Sequence, residues 1–352
     1  MKRIVKNRNL IFGDGNVSVQ SMTNLPVTDF DGTCEQIRRL VSAGCEIVRI
    51  ALPDRKSVES FKPIRKEFPS LPLVADIHFD YRLALGAIDA GADKIRINPG
   101  NVSQWQLDEV IAAAKANDVI VRVGVNGGSV NKQSLLEANG DKCLALISSL
   151  KGYVDYFESK NFTDLVLSVK SSDVRETVRL NKMAAEIGYP LHLGVTEAGL
   201  EEMGVVKNSI GIGSLLLDGI GDTIRVSLTA DPVKEVAAAL NILRALQLRS
   251  GVTFVSCPKC GRCSIDLENV AKRIYDVAKL VGAPLKIAVM GCEVNGPGEC
   301  SDADLGIAGA NGKFVLFRKG KKFKTVDSDC GVETFQKELE EMAAEYSAEQ
   351  QK

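Results

Sequence analysis

The strongest constraint on the fold is a theme that the chain repeats eight times between about residues 17 and 230. Each repeat begins with a short apolar run rich in β-branched residues, and polar stretches with helical spacing lie between the runs. The runs occupy residues 17–24, 46–54, 72–80, 94–101, 119–128, 165–173, 191–199 and 222–232. Strands that alternate with helices form βαβ units and a parallel sheet. Eight units favour a closed (β/α)8 TIM-type barrel over an open Rossmann-like sheet.

A different pattern begins near residue 250. The strongly periodic helix predicted for residues 231–250 is suited to closing the barrel, and "GVTFVSCPKCGRC" follows it. The remaining stretch contains a helical pattern, a strand, a loop, two further strands and a charged terminal helix. About 100 residues suffice for an independent α/β domain. We therefore expect a barrel over residues 1–250 and a small α/β domain over residues 251–352.

The composition argues against several classes of protein. Lys and Arg number 44 and Asp and Glu number 45, so nothing in the overall charge favours nucleic acid or a membrane surface as partner. The basic N-terminus lacks the apolar segment of a signal peptide, and no apolar run approaches a membrane span. We expect a cytoplasmic protein with reduced thiols, and the odd number of cysteines, nine, argues against a disulfide framework.

Long cations recur at equivalent places in five of the apolar runs. They are Arg49, Arg96, Arg122, Lys170 and Arg225. Any one of them could pair with an acid on a solvated face. Five at the carboxyl ends of barrel strands, where active sites form, outnumber the nearby carboxylates, which are Asp54, Asp76, Asp80 and Glu197. The surplus predicts a substrate with more than one negative charge, most naturally a diphosphate, which the planar fork of Arg can hold.

Neutral donors and acid–base candidates lie near the same strand ends. Asn24, Asn98, Asn126 and Ser227 could add hydrogen bonds to such a substrate. His78 and Glu197 are candidates for general acid or base. A single His in such a place is as often structural as catalytic, and the short polar insert around Glu197 makes that residue the better candidate.

The cysteines of the second segment suggest a metal centre. Cys257 and Cys260 form a C-x2-C motif, which Cys263 extends to C-x2-C-x2-C, and "VMGCEVNGPGEC" follows with Cys292, Glu299 and Cys300. The candidate ligands are Cys257, Cys260, one of Cys263 or Cys292, and Glu299 as a further candidate. A structural zinc site is the alternative. Cys34, Cys45 and Cys143 lie in helical stretches and are expected to be buried and inert.

The motifs together resemble those of bacterial 4-hydroxy-3-methylbut-2-en-1-yl diphosphate synthases, enzymes of the methylerythritol phosphate route to isoprenoids. The resemblance rests on "QSMTN", "VRIALPD", "ADIHFDYRLAL", "IRINPGN", "VRVGVN", "SVKSSD", "LGVTEAG", "SCPKCGR" and "MGCEVNGPGE". It covers essentially the whole chain, and "CEVNGPGE" at its distance from "CPKCG" is specific. The chain has no room for the extra domain of the plant-type members and is similar to the two-domain bacterial form.

The resemblance implies a 4Fe-4S cluster in the second domain. Its ligands would be Cys257, Cys260, Cys292 and Glu299, with no ligand role for Cys263 or Cys300. A carboxylate is a harder and more weakly held ligand for this iron than a thiolate. Glu299 would therefore be the exchangeable ligand.

The resemblance also implies a substrate and partners. The substrate would be 2-C-methyl-D-erythritol 2,4-cyclodiphosphate, which two electrons from ferredoxin or flavodoxin open and dehydroxylate. The diphosphate would be held by Arg49, Arg96, Arg122, Asn126, Lys170, Arg225 and Ser227. Asp76, His78 and Glu197 would lie near the carbon skeleton, with Glu197 handling a proton. The family pairs as a head-to-tail homodimer.

Two other functions are compatible with the residues alone. One is a non-catalytic sensor or scaffold in which a zinc domain is attached to a barrel that binds a sugar phosphate. The other is an aldolase in which Lys170, its pKa lowered by neighbouring cations, forms a Schiff base.

Overall fold

The computed structural model describes residues 2–78, 80–126, 132–292, 294, 296–310 and 312–350. The chain divides into two compact units, Met1–Ile242 and Leu243–Lys352. Within the described ranges, no helix combines the length and apolar character that crossing a membrane requires.

The first unit is built on an eight-stranded parallel sheet. Its strands are β3 (Ser18–Met22), β4 (Ile47–Ala51), β5 (Leu73–Asp76), β6 (Lys94–Ile97), β7 (Ile120–Asn126), β8 (Leu165–Lys170), β9 (His192–Leu193) and β10 (Thr223–Ile224). The order is β8-β7-β6-β5-β4-β3-β10-β9, and a parallel bridge between Leu167 and Leu191 joins the two ends. Each predicted apolar run contains one strand, which confirms the predicted barrel and excludes the open sheet.

Helices follow the barrel strands. They are α1 (Phe30–Ser42), α2 (Arg55–Glu67), α3 (Tyr81–Asp89), α4 (Gln104–Ala116), α5 (Lys132–Glu137), α6 (Lys142–Ser159), α7 (Val174–Ala185), α8 (Glu201–Leu217) and α9 (Pro232–Ala245), with a 3₁₀ helix at Pro99–Asn101. The Asp54 and Asp80 side chains accept hydrogen bonds from backbone N–H groups of the first turns of α2 and α3. These two strand-end acids are therefore helix caps.

An N-terminal hairpin packs against the first residues of the barrel strands. It consists of β1 (Val5–Lys6) and β2 (Ile11–Phe12), which pair antiparallel. Its apolar side chains form a buried cluster with residues from the beginnings of β4, β5, β7 and β8, namely Ile47, Val74, Ile120 and Val166. Apolar side chains therefore fill much of the N-terminal end of the barrel, where the ammonium of the buried Lys94, the first residue of β6, lies 4.5 Å from the centre of the Phe12 ring.

The second unit is a five-stranded sheet with two long helices. Its elements are β11 (Thr253–Ser256), α10 (Leu267–Ala278), β12 (Lys286–Met290), α11 (Gly296–Glu299), β13 (Leu305–Ala310), β14 (Lys313–Arg318), β15 (Lys321–Asp327) and α12 (Gly331–Gln350). The strand order is β11-β12-β13-β14-β15, parallel for the first three strands and antiparallel after them. Residues of α10 and α12, such as Ile274 and Phe335, bury one apolar cluster with the sheet.

Candidate active site

A polar cavity of about 120 Å³ lies at the carboxyl ends of the barrel strands. Its lining residues are Arg49, His78, Arg96, Arg122, Gly124, Val125, Ser168, Lys170, Thr196, Arg225 and Ser227. All five strand-end cations are among them, together with His78 and Ser227. The structure thus brings side chains from sequence positions 49 to 227 to one place inside the first unit.

Strand register explains how the charged side chains converge. Asp76, Arg96 and Arg122 are aligned across β5, β6 and β7. Alternate residues of a barrel strand face the interior, so aligned residues of this kind form a layer. Closing the sheet into a barrel makes such a layer a ring, and long side chains from all sides then reach the same cavity.

Asp76 is the one carboxylate among these three aligned residues. Its Oδ2 lies 3.4 Å from Arg49 Nη2, and its Oδ1 lies 3.7 Å from Arg96 Nη1. Burial alone would raise the pKa of Asp76. The charge of Arg49, the hydrogen bond with His78 and the charge of Arg96 outweigh burial and hold this pKa well below its ordinary value. Asp76 therefore serves as a permanent negative charge that arranges the cations.

His78 is oriented by two neighbours. Arg96 Nη1 donates to His78 Nδ1 at 2.9 Å, and His78 Nε2 lies 3.1 Å from Asp76 Oδ2. Because a guanidinium only donates, Nδ1 is the acceptor and the ring proton is on Nε2, where it is donated to Asp76. The two contacts therefore fix the orientation of the His78 ring at the cavity wall.

The positive charge of the cavity cations exceeds the negative charge of the carboxylates around them. In the part of the chain that the structure describes, Nε and Nη1 of Arg122 and Nε of Arg225 are buried without a hydrogen-bond partner. Burial lowers the pKa of Arg49 to about 10, despite the nearby charge of Asp76. Burial and the charges of Arg122, Arg225 and Arg49 lower the pKa of Lys170 well below its ordinary value. Unpaired buried donors and crowded positive charges are stabilised by a bound anion.

Gly194 leaves room for a cavity cation. A Cβ at position 194 would meet the Arg225 carbonyl and would lie 2.8 Å from Lys170 Nζ. A Cβ at position 124, by contrast, would make only an ordinary contact, 3.5 Å from Arg96 Nε. The missing side chain of Gly194 therefore lets the Lys170 ammonium lie beside the Arg225 backbone.

Several predicted residues lie outside the cavity wall. Glu197 is exposed in a turn with a positive φ of 52°, and its neighbour Thr196 lines the cavity instead. Asn24 is bonded to Gln36 of α1, and Asn98 accepts a hydrogen bond from the Gly100 N–H. The Asn126 side chain lies outside the described residues.

Glu235 is a contributor that the sequence pattern did not indicate. This buried residue of α9 accepts hydrogen bonds from Ser21 Oγ at 3.1 Å and from the Leu228 N–H at 3.0 Å. Its Oε2 also lies 3.4 Å from Arg225 Nη2. Glu235 thereby connects β3 with the segment that carries Arg225 and Ser227. An acid in the first turn of a helix is an ordinary sequence pattern. Only the tertiary contacts of Glu235 distinguish it from other acids in such positions.

The candidate metal ligands lie at one edge of the second unit's sheet. Cys257 and Cys292 follow β11 and β12, which are parallel neighbours. The Gly291 N–H donates to Cys257 Sγ at 3.2 Å, so this sulfur is beside the residue that precedes Cys292. Cys260 is exposed on the turn after Cys257, and Glu299, also exposed, ends the short helix α11. No group of three His, Cys, Asp or Glu side chains is close enough to hold a metal ion within the described ranges.

Cys263 and Cys300 have packing roles in the same region. The Cys263 thiol donates to the Ile265 carbonyl at 3.2 Å, and a Cβ at Gly291 would lie 2.7 Å from its sulfur. Cys300 is fully buried in an apolar cluster that includes Met290 and Phe317. Burial raises the pKa of Cys300 to about 12, so its thiol stays protonated.

The donor set fits an iron–sulfur centre in its chemistry. Three cysteines on loops after parallel strands, one of them already accepting a backbone N–H bond, are typical of thiolates that bind a cluster. Cys257, Cys260 and Cys292 with Glu299 satisfy this description. Cys263 lies on the same turn, and its thiol donates to the Ile265 carbonyl.

Comparison with known families accounts for nearly the whole chain. Residues 2–240 match the model of the GcpE TIM-barrel domain, and residues 253–341 match that of the GcpE protein C-terminal domain. Among similar proteins, one from Thermotoga petrophila is 49% identical and covers 98% of this chain and 99% of its own. One from Caldanaerobacter subterraneus is 48% identical over 95% of each chain. Both are named 4-hydroxy-3-methylbut-2-en-1-yl diphosphate synthase (flavodoxin).

Solved structures of similar shape share only the fold. A dihydropteroate synthase from Xanthomonas albilineans in complex with 7,8-dihydropteroate has a TM-score of 0.52 at 16% identity. It covers 70% of this chain and 98% of its own. A second structure of that enzyme, with other ligands, gives a TM-score of 0.51 at 17% identity. At this identity the likeness supports the barrel architecture alone.

Proposed function

The chain belongs to the GcpE family, and from that premise we propose how its residues carry out the family's reaction. The protein is an oxidoreductase that converts 2-C-methyl-D-erythritol 2,4-cyclodiphosphate into 4-hydroxy-3-methylbut-2-enyl diphosphate. One carbon–oxygen bond of the cyclic diphosphate breaks and one hydroxyl leaves as water. The balance requires two electrons and two protons for each turnover. The names of the relatives give no support to the sensor or scaffold alternative.

The observation that supports diphosphate binding is the set of unpaired buried donors on Arg122 and Arg225. A ligand with several anionic oxygens would supply acceptors to these groups and to Arg49, Arg96 and Lys170. Ser227 lines the same cavity, and Asn126, at the end of β7, would add an amide. The cavity would therefore bind the phosphate groups and leave the carbon skeleton toward its opening.

Asp76 and His78 would orient the carbon skeleton. Asp76 is tied to three neighbours and stays ionised, so its role is to hold Arg49, Arg96 and His78 in place. His78, held between Asp76 and Arg96, presents its ring to the cavity. A ring fixed in this way can contact a hydroxylated carbon chain.

Glu197 is proposed to move a proton to the substrate. It is exposed, follows Thr196 of the cavity wall and has a backbone conformation that non-glycine residues rarely adopt, a feature common at functional sites. Glu197→Gln should preserve substrate binding and abolish most turnover. An unchanged turnover number would contradict this role.

Members of this family are iron–sulfur enzymes, and we propose a 4Fe-4S cluster held by Cys257, Cys260, Cys292 and Glu299. When bound, the cluster supplies the two electrons one at a time. The chain's contribution is the ligand set, with the Gly291 N–H bonded to the Cys257 sulfur. Cys263 and Cys300 would remain thiols beside the cluster.

The partners follow from the relatives and from the reaction. Flavodoxin is the expected electron donor, as in the names of the relatives, with ferredoxin as a second carrier. We also propose a head-to-tail homodimer in the cytoplasm, in which each active site combines a barrel with its partner's cluster unit. Co-assembled Arg122→Ala and Cys292→Ala chains should then regain part of the activity, and confirmed mixed dimers without activity would argue against shared sites.

The decisive experiment is anaerobic turnover of the cyclodiphosphate with a low-potential reductant. Formation of the linear diphosphate by a brown protein with about four irons and sulfides per chain would support the proposal. A colourless zinc protein without turnover would favour the scaffold. Borohydride trapping of a substrate on Lys170 would instead indicate the aldolase.

A further inference from the structure

A surface of unpaired lysines lies on the outer strand of the second unit. Lys319 occupies the turn between β14 and β15, and Lys321, Lys322 and Lys324 lie on β15. All four are exposed, and β15 is the last strand of the sheet. We call these four residues the basic edge surface.

The other cations of this hairpin differ from the basic edge surface because they have partners. Lys313 lies 3.7 Å from Asp327, and Arg318 bonds Glu345 and Glu338 of α12. The four lysines of the basic edge surface have no ion pair within the described ranges. Their charge is therefore directed to solvent and available to a partner.

The basic edge surface is connected to the segment that carries Glu299. The Lys319 N–H donates to the Asp304 carbonyl at 2.8 Å, and the Gly320 N–H donates to the Ala303 carbonyl at 3.3 Å. Gly320, with a positive φ of 74°, packs so closely on Ser301 that a Cβ would overlap the Ser301 carbonyl. Ser301 is two residues after Glu299. A protein bound to this turn would thus be close to the segment that holds a proposed cluster ligand.

Charged residues on an outer strand also prevent unwanted strand pairing. That function does not require charges of one sign, and paired lysines would serve it equally well. Four unpaired cations create a local positive potential, which steers an acidic partner and speeds its association. The position beside the cluster segment indicates a partner that delivers electrons.

We propose that the basic edge surface docks an acidic protein electron carrier of the flavodoxin type. This proposal rests on the proposed function, since it names the surface through which that reaction receives its electrons. The contact is electrostatic and transient, so it controls the efficiency of electron delivery rather than the chemistry in the barrel.

The test compares two reductants on one set of variants. The quadruple variant Lys319→Glu, Lys321→Glu, Lys322→Glu, Lys324→Glu is assayed with flavodoxin and with reduced methyl viologen, a small dye that needs no docking surface. We expect kcat/KM for flavodoxin to fall about tenfold or more at low salt. The dye-driven rate should stay within about twofold of the wild type, and added salt should reduce the difference between the two proteins.

A matched control carries the same reversals at four exposed lysines of the barrel unit, Lys56, Lys66, Lys115 and Lys151. This control should keep the wild-type ratio of flavodoxin-driven to dye-driven rate. If the basic-edge variant also keeps the wild-type ratio of flavodoxin-driven to dye-driven rate, the proposal is overturned, even if both rates fall. A quadruple Lys→Gln variant provides a milder version of the test.

The outcome separates this proposal from the proposed function. A wild-type protein inactive with both reductants would contradict the proposed function. Docking would then be decided by direct binding of flavodoxin to the anaerobically purified protein. Equal affinities of the wild type and the quadruple Lys→Glu variant for flavodoxin would overturn the docking proposal. An affinity of the variant that is weakened about tenfold or more would support it.

Discussion

The barrel cavity and the sulfur-bearing edge of the second sheet are both built from the ends of parallel strands, yet they are completed to different degrees. In the barrel, five cations, His78 and Ser227 already line one cavity of about 120 Å³. At the sheet edge, Cys257 and Cys292 follow neighbouring strands, while Cys260 and Glu299 are exposed on the adjoining segments.

The difference follows from the shape of the two sheets. A closed sheet arranges its strand ends in a ring, so side chains that point inward must meet. An open sheet arranges its strand ends in a line, so ligands beyond the first two must come from loops. A metal centre supplies the free energy that gathers such ligands, because its site is rarely complete without it. The barrel site is thus organised by folding, whereas the proposed cluster site would be organised by binding of the metal centre.

The largest expected effect tests the contrast between the barrel site and the proposed cluster site, and it concerns the sheet edge. Cys292→Ala should remove the cluster, so iron content and turnover should fall to background, while pyrophosphate should still raise the Tm of the barrel. Iron analysis and thermal unfolding check these outcomes. The matched control is Cys330→Ala, an exposed cysteine outside the proposed site. Full iron content in Cys292→Ala would contradict the ligand assignment.

The next effect tests whether the barrel site is a preorganised anion site. Arg122→Met removes a buried cation with unpaired donors. A charged hydrogen bond contributes about 1.5–3 kcal/mol, so KM for the cyclodiphosphate should rise about 10- to 150-fold. Iron content should be unchanged, and the Tm without substrate should rise because an uncompensated buried charge is gone. A lower Tm would show that Arg122 stabilises the fold itself.

Glu235→Gln provides a second test of whether the barrel site is a preorganised anion site. The amide oxygen can still accept from the Leu228 N–H and the amide NH2 can donate to Ser21 Oγ, but Arg225 is left without its countercharge. The unliganded protein should lose about 1–3 kcal/mol of stability, the cost of a buried charge without its partner. Pyrophosphate should then raise the Tm by more than in the wild type, since the anion replaces the missing charge. An identical shift in both proteins would exclude this role.

A smaller effect is expected in the pH dependence of the protein's stability. The pKa of Lys170 in the folded barrel is well below its ordinary value of 10.5, so between the two values the unfolded chain binds the additional proton. Stability without substrate should therefore rise with pH across this window. Lys170→Met should be more stable than the wild type at neutral pH, with the difference narrowing toward pH 10. Thermal unfolding across that range checks the trend, which a constant difference would refute.

The smallest effect is expected at Cys263. Its thiol is bonded to the Ile265 carbonyl, and a serine hydroxyl can make the same bond. Cys263→Ser should therefore keep the full iron content and wild-type turnover. Loss of iron would make Cys263 a ligand and would remove Cys292 or Cys260 from the proposed set.

Much of the barrel and its charges could be predicted from local patterns. β-branched runs at regular intervals indicate the strands, and a cation near the end of a strand can be identified before its neighbours are known. The roles of Asp54 and Asp80 could not be predicted in this way, because a capping acid and a counter-ion look alike in sequence. The role of Glu235 could not be predicted either, since its partners lie on β3 and after β10, distant along the chain.

The sequence by itself determined the alternation of strand and helix, the surplus of positive charge at five strand ends and the types of the candidate metal ligands. These properties depend on residue type and on spacing along the chain. Tertiary structure alone decided that the cations share one cavity and that Arg96 reaches His78 from a neighbouring strand. These facts depend on distances between residues remote in sequence, and closure of the barrel sheet sets those distances.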